Sequence, residues 1–178
     1  MNNLISINET DIAVANFLKQ NNISFRVHFA GTSHKFGNEM DSWLVVIGGE
    51  KFDFYTGIGH RIQQHRNAYK LNESQINKAK SLKDLLGKDR LDSTIYKLPN
   101  SSSTYAVSPT QAGVLYCLLL DANGAEQNFH DWCSDYDYNS DSLSDRNVYD
   151  ACCETLNKVR KIFTHSQREV LRELLQDY

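Results

Sequence analysis

The sequence has no apolar run longer than Val114 to Leu120, seven residues against the roughly 20 that a membrane-spanning helix needs, so no membrane role is expected. Proline is scarce, present only as Pro99 and Pro109, and glycine never falls into the GxGxxG or GxxxxGK[ST] spacing, which excludes a collagen-like chain and the usual nucleotide loops. Cysteine is sparse as well. Cys117, Cys133 and the adjacent Cys152 and Cys153 have no CxxC spacing, which points to reduced thiols and a cytoplasmic setting. Met1-Asn2-Asn3-Leu4 has no basic segment ahead of an apolar one, so no secretion signal is expected. What is present is 40% hydrophobic and 23% charged residues over 178 positions, enough apolar material for one ordinary domain with a packed core.

The net charge of −3 hides an uneven distribution. Residues 60–97 carry nine Lys or Arg against four Asp or Glu, whereas residues 121–154 carry nine acids against Arg146 alone. Between the blocks, the turn-rich stretch from Leu98 to Ser108 reads as a loop.

Hydrophobic spacing supplies the elements. Ile12, Ala15 and Leu18 recur at helical intervals, and Asn21-Asn22 marks a stop. Ile23, Phe25, Val27 and Phe29 alternate with more polar neighbours as in a half-buried strand; Trp43 to Ile47 forms a second strand, and Gly48-Gly49 turns it into a third through Phe52 and Phe54. Ile76, Ala79, Leu82 and Leu86 mark an amphipathic helix whose other face bears Lys78, Lys80 and Lys83. Further on, Ser108, Pro109 and Gln111 suggest a helix start, leading into the run Val114 to Leu120, which is apolar all round and is expected to be central. A short helix near 128–136 presents Phe129, Trp132 and Cys133. A long one capped by Asp141 or Ser142 has Tyr149, Cys152, Leu156, Val159 and Phe163 as its seam, and Thr164 with Gln167 opens a last helix with Val170, Leu171, Leu174 and Leu175 inward. The expectation is an α+β fold, an N-terminal helix and three-stranded antiparallel meander packed with a helical C-terminal half. It forms a single domain, with residues 1–97 as the α/β half, 98–108 as a loop and 109–178 as the helical half.

Four groups of residues invite a chemical reading. Asp135, Asp137, Asn139 and Asp141 alternate like the start of a calcium loop, but Ser140 and Arg146 stand where glycine and a bidentate glutamate are needed, so a solvated turn is preferred. His60, Arg61, His65 and Arg66 follow Thr56-Gly-Ile-Gly and could contact phosphate, though a strand-exit turn explains them as well. His130 and Cys133 sit one helical turn apart, yet Cys133 follows Trp132 on an apolar face and reads as core. The acidic block remains. Asp131, Asp135, Asp137, Asp141 and Asp145, continuing to Asp150 and Glu154, are either a solvated face or a row of carboxylates that imitates nucleic-acid phosphates in a partner's basic groove.

Several strings carry a family resemblance: Ser108-Pro-Thr-Gln-Ala-Gly-Val-Leu-Tyr-Cys-Leu-Leu-Leu-Asp-Ala122, Phe129-His-Asp-Trp-Cys133, Tyr138-Asn-Ser-Asp-Ser142, Tyr149-Asp-Ala-Cys152, Leu175-Gln-Asp-Tyr178 and Phe54-Tyr-Thr-Gly-Ile-Gly-His-Arg61. Together they cover about half the chain, and they resemble a family of small phage and prophage proteins. The chain departs from that pattern at Asp137, where the family tends to have glycine before its tyrosine, and in a longer basic insert over 66–97. The resemblance implies a mobile-element accessory protein, a class that includes inhibitors of host defence such as anti-CRISPR proteins, and it transfers no catalytic residue. The expected function is therefore non-enzymatic and cofactor-free: Asp131, Asp135, Asp137, Asp141 and Asp145 engage a host CRISPR-Cas or other defence complex in the bacterial cytoplasm. The alternative is a nucleic-acid-binding module that uses His60, Arg61, Lys78, Lys80 and Lys83.

Overall fold

A computed structural model describes residues 9–35, 37–57, 66–86, 94–97 and 103–178. The chain divides into two compact units, Met1–Val114 and Leu115–Tyr178. The fold is α+β, with a three-stranded antiparallel sheet in the N-terminal half and a helical C-terminal half.

The first unit opens with α1 (Glu9–Gln20), which has Glu9 and Asp11 in its first turn and Lys19 in its last, each favourable to the helix dipole. Its buried stripe is Val14, Phe17 and Leu18. Ile12, expected inward, is half exposed and Ala15 is exposed too, because the buried face keeps Leu18 but turns toward Val14 and Phe17. Asn22 stops the helix in a left-handed conformation (φ 54°), and the Ile23 N–H donates to the Leu18 carbonyl at 2.9 Å, the six-to-one bond of a Schellman motif. Next come β1 (Phe25–Lys35), β2 (Asn38–Ile47) and β3 (Glu50–Gly57), antiparallel and in that spatial order. Gly48 and Gly49, both at positive φ, form the two-residue turn between Ile47 and Glu50. The register sets Phe29 opposite Trp43 and Trp43 opposite Phe54, and one sheet face buries Phe29, Trp43, Val45, Ile47 and Phe52. Trp43 meets Phe29 edge-on at 5.2 Å, and its indole Nε1 donates to Thr56 Oγ1 at 2.9 Å, so the one polar atom of that buried ring is satisfied.

A second antiparallel sheet was not expected. It contains β4 (Arg66–Leu71), β5 (Thr94–Lys97) and β6 (Thr104–Pro109), with β6 in the centre and α2 (Glu73–Leu86) between β4 and β5 in the chain. The expected 98–108 loop is therefore corrected over residues 104–108. Thr104, Tyr105 and Val107 are strand formers whose burial outweighs the turn-rich residues before them. The following helix start is corrected with it. Pro109 ends β6 opposite Arg66, and the N-cap is Thr110 rather than Ser108: its Oγ1 accepts the Gly113 N–H at 2.9 Å.

The helix so capped, α3 (Gln111–Gly124), leads into the second unit, which adds α4 (Phe129–Tyr136), α5 (Leu143–Ile162) and α6 (His165–Leu174). Ser142 caps α5, and Thr164 with Gln167 forms a complete capping box on α6. The α5 seam holds, with Leu156, Val159 and Phe163 buried, and Leu171 and Leu175 of the last segment are buried too. Leu120 and Val170, expected inward, are instead about half exposed. Arg172 ties α6 to α3: Nε and Nη2 donate to Asn123 Oδ1 at 3.2 and 2.5 Å, and the guanidinium pairs with Glu126 and Glu169.

Candidate functional site: an aromatic and acidic surface

The site is built around α4, whose two ends are determined by local chemistry. At the start, Asn128 Oδ1 accepts the Asp131 N–H at 3.0 Å while Asn128 Nδ2 donates to Asp131 Oδ2 at 2.6 Å, so both side chains are spent on the cap. At the end, Asp137 adopts the left-handed region (φ 59°, ψ 39°), and the Tyr138 N–H donates back to the Cys133 carbonyl at 2.9 Å. That reversal lays Tyr138 on Trp132, ring on ring, with centroids 4.4 Å apart and planes within 8°. The Trp132 ring is buried, whereas Tyr138 remains 40% exposed. Tyr136, 51% exposed, leans on Trp132 at 5.7 Å, and a methyl group on Gly124 would come within 3.2 Å of its hydroxyl. Glycine there is what allows α3 so close to this ring.

Trp132 also meets Phe129 and Tyr149, with centroids 6.2 and 5.5 Å away. The Tyr149 hydroxyl donates to the Gln127 carbonyl at 2.6 Å. Arg146 lies over Phe129, 4.6 Å from the centroid, with its Nε 3.4 Å from Asp150 Oδ1. The turn into α5 is equally ordered. Asn139 donates its N–H to Asp145 Oδ2 and accepts the Asp141 N–H on Oδ1, both at 2.9 Å, and Ser142 Oγ accepts the Asp145 N–H at 3.3 Å.

This geometry sorts the acidic residues. Asp131 and Asp145 belong to helix caps, Asp150 pairs with Arg146, and Glu154 pairs with Lys158, whose ammonium holds its carboxyl below the ordinary value. Asp135, Asp137 and Asp141 are exposed, and among the described residues no hydrogen bond or ion pair engages their carboxylates. The Asn139 turn uses its oxygens on backbone N–H groups, as a capping turn does. No three His, Cys, Asp or Glu among the described residues form a set able to hold a metal ion. His130 is exposed while Cys133 beside it is buried.

Of the basic alternative, His60 and Arg61 lie outside the described residues, as does His65; Lys78 and Lys80 are exposed on α2, and Lys83 lies on the same helix. The cysteines are free thiols, with Cys133 buried and Cys117 and Cys152 half-buried. Burial pushes all three thiols up, Cys152 to about 11, and the Asp121 carboxylate adds to the effect at Cys117 and Cys152. These are unreactive settings for a nucleophile. A shallow groove between α3 and α6, lined by Tyr116, Leu119, Leu120, Asn123, Arg172 and Leu175, has a volume of about 100 Å³, well below the few hundred that a substrate-sized ligand fills.

Sequence reasoning found the carboxylates and set Phe129, Trp132 and Tyr149 on apolar faces, but missed the stacking of Tyr138. The available signal was Asp137 itself, since aspartate is among the few non-glycine residues that enter the left-handed region, and a positive φ there folds the following tyrosine back over the helix. In comparisons with protein-family models, curated proteins and solved structures, the chain matches none.

Proposed function

We propose that the protein is a phage- or prophage-encoded accessory protein that binds and inhibits a host defence nucleoprotein complex, of the anti-CRISPR kind, without catalysis. The observation that carries this reading is the segment 135–141: three exposed, unengaged carboxylates and two exposed tyrosines on a backbone held by caps and an Asx turn. A rigid surface of aromatic rings rimmed by one sign of charge has the composition of a protein-binding hot spot, and it loses little entropy on association. Asp131 and Asp145 support the face by fixing its backbone and add charge at its edges.

The alternative, a nucleic-acid-binding module, rests on exposed Lys78 and Lys80 and is disfavoured by the overall charge of −3 and pI near 6.0. The test is plating efficiency of a CRISPR-targeted phage on a host expressing the protein. The intact chain should restore plating, Asp135→Lys/Asp137→Lys/Asp141→Lys should abolish the effect, and Lys78→Ala/Lys80→Ala should not. No restoration by the intact chain, or loss only with the lysine variant, overturns the reading.

A further inference from the structure

We propose that the outward face of Tyr138 is a docking platform for an arginine side chain on the partner protein. The inference deepens, and rests on, the protein-binding reading above. Three observations lead to it. Trp132 covers one face of the Tyr138 ring, with centroids 4.4 Å apart and planes within 8°, yet Tyr138 stays 40% exposed. Asp137 adjoins it in the chain and Asp141 follows across the Asn139 turn, both exposed and unengaged among the described residues. The same aromatic group already holds a guanidinium, where Arg146 lies over Phe129 at 4.6 Å and over Tyr149 at 5.8 Å and pairs with Asp150.

The occupant follows from charge and shape. A planar guanidinium stacks on a ring and still presents its edge N–H groups to carboxylates, whereas an ammonium ion gains mainly from the carboxylates. A nucleic-acid base would also stack, but its phosphates would meet Asp135, Asp137 and Asp141. The stacked Trp132–Tyr138 pair therefore adds selectivity for arginine beyond the bidentate pairing that the carboxylates offer a guanidinium, while the carboxylates attract any cation.

Fluorescence anisotropy with labelled hexa-arginine and hexa-lysine peptides and the full-length protein separates the two contributions. The intact protein should bind hexa-arginine about two- to fivefold more tightly than hexa-lysine, the effect of one exposed cation–π contact. Tyr138→Leu should weaken hexa-arginine binding by more than it weakens hexa-lysine binding and so narrow that preference, and Tyr138→Phe should retain it. Equal affinities for the two peptides, or a preference that Tyr138→Leu leaves unchanged, overturns the platform. So does tighter binding of an oligothymidylate that depends on Tyr138. If Tyr138→Leu fails to fold by circular dichroism, Tyr138→Gln serves as the second ring-free variant and is read in the same way. The outcomes are distinguishable from failure of the host-defence reading: that reading fails in the plating assay whatever the peptide ratio, whereas a failed ratio with intact plating removes only the arginine platform.

Discussion

A backbone in the left-handed region costs an ordinary L residue about 1–2 kcal/mol, and Asp137 adopts it at the C-terminal end of α4. Aspartate tolerates the region better than most side chains, so only part of that cost is recoverable. Asp137→Gly relieves that strain but adds the unfolded-state entropy of glycine, so stability in urea denaturation should change by no more than about 1 kcal/mol while one exposed carboxylate is removed; a loss well beyond that would show that the carboxylate supports the fold. Cys152 offers a second measurement at this scale. Its thiol is raised from 9.0 to about 11, mainly by burial. Because the folded value lies above the unfolded one, the thiol does not affect stability below pH 9, and stability falls as pH rises from 9 through about 11. Iodoacetamide labelling of folded Cys152 should accordingly be slow near neutrality and climb about tenfold per pH unit up to pH 10. Rapid labelling at pH 7.5 or below, read by mass spectrometry, would contradict the burial argument.

The elements divide by whether their cause is local. Gly48-Gly49, Ser142 and the Thr164 and Gln167 box lie within a few residues of what they determine, and each was legible in the sequence. The alternation through Phe29 and the seam from Tyr149 to Phe163 were legible for the same reason. The second sheet was not, because β6 pairs with β4, far earlier in the chain, and with the four-residue β5, and neither partner carries much pattern of its own. Reading a loop at 98–108 in turn placed the α3 cap two residues early, at Ser108 instead of Thr110. Leu120 was misjudged because an uninterrupted apolar run carries no periodicity to say which position faces out. The candidate site shows the same division: the carboxylates are visible as composition, whereas the Tyr138 stack depends on one backbone angle at Asp137.

Charge along the chain bears on function only over the distance at which it is felt, about 8 Å at physiological salt. The three unengaged carboxylates at 135, 137 and 141 therefore act as a local patch, whatever the basic count of residues 60–97. Each rim ion pair formed on binding contributes only about 0–1 kcal/mol, so the patch acts mainly by steering encounter. The association rate with a purified CRISPR effector complex should fall as salt rises from about 0.05 to 0.5 M, with the dissociation rate changing much less. Asp135→Lys/Asp137→Lys/Asp141→Lys should slow association at low salt and flatten or reverse the salt dependence, while Lys78→Ala/Lys80→Ala should leave it unchanged. Circular dichroism and thermal melting of the variants establish that the fold survives. A salt slope determined by the lysines and indifferent to the three carboxylates would mean that the partner presents negative charge, as nucleic-acid phosphates do, rather than a basic protein surface, and would overturn the acidic-face reading.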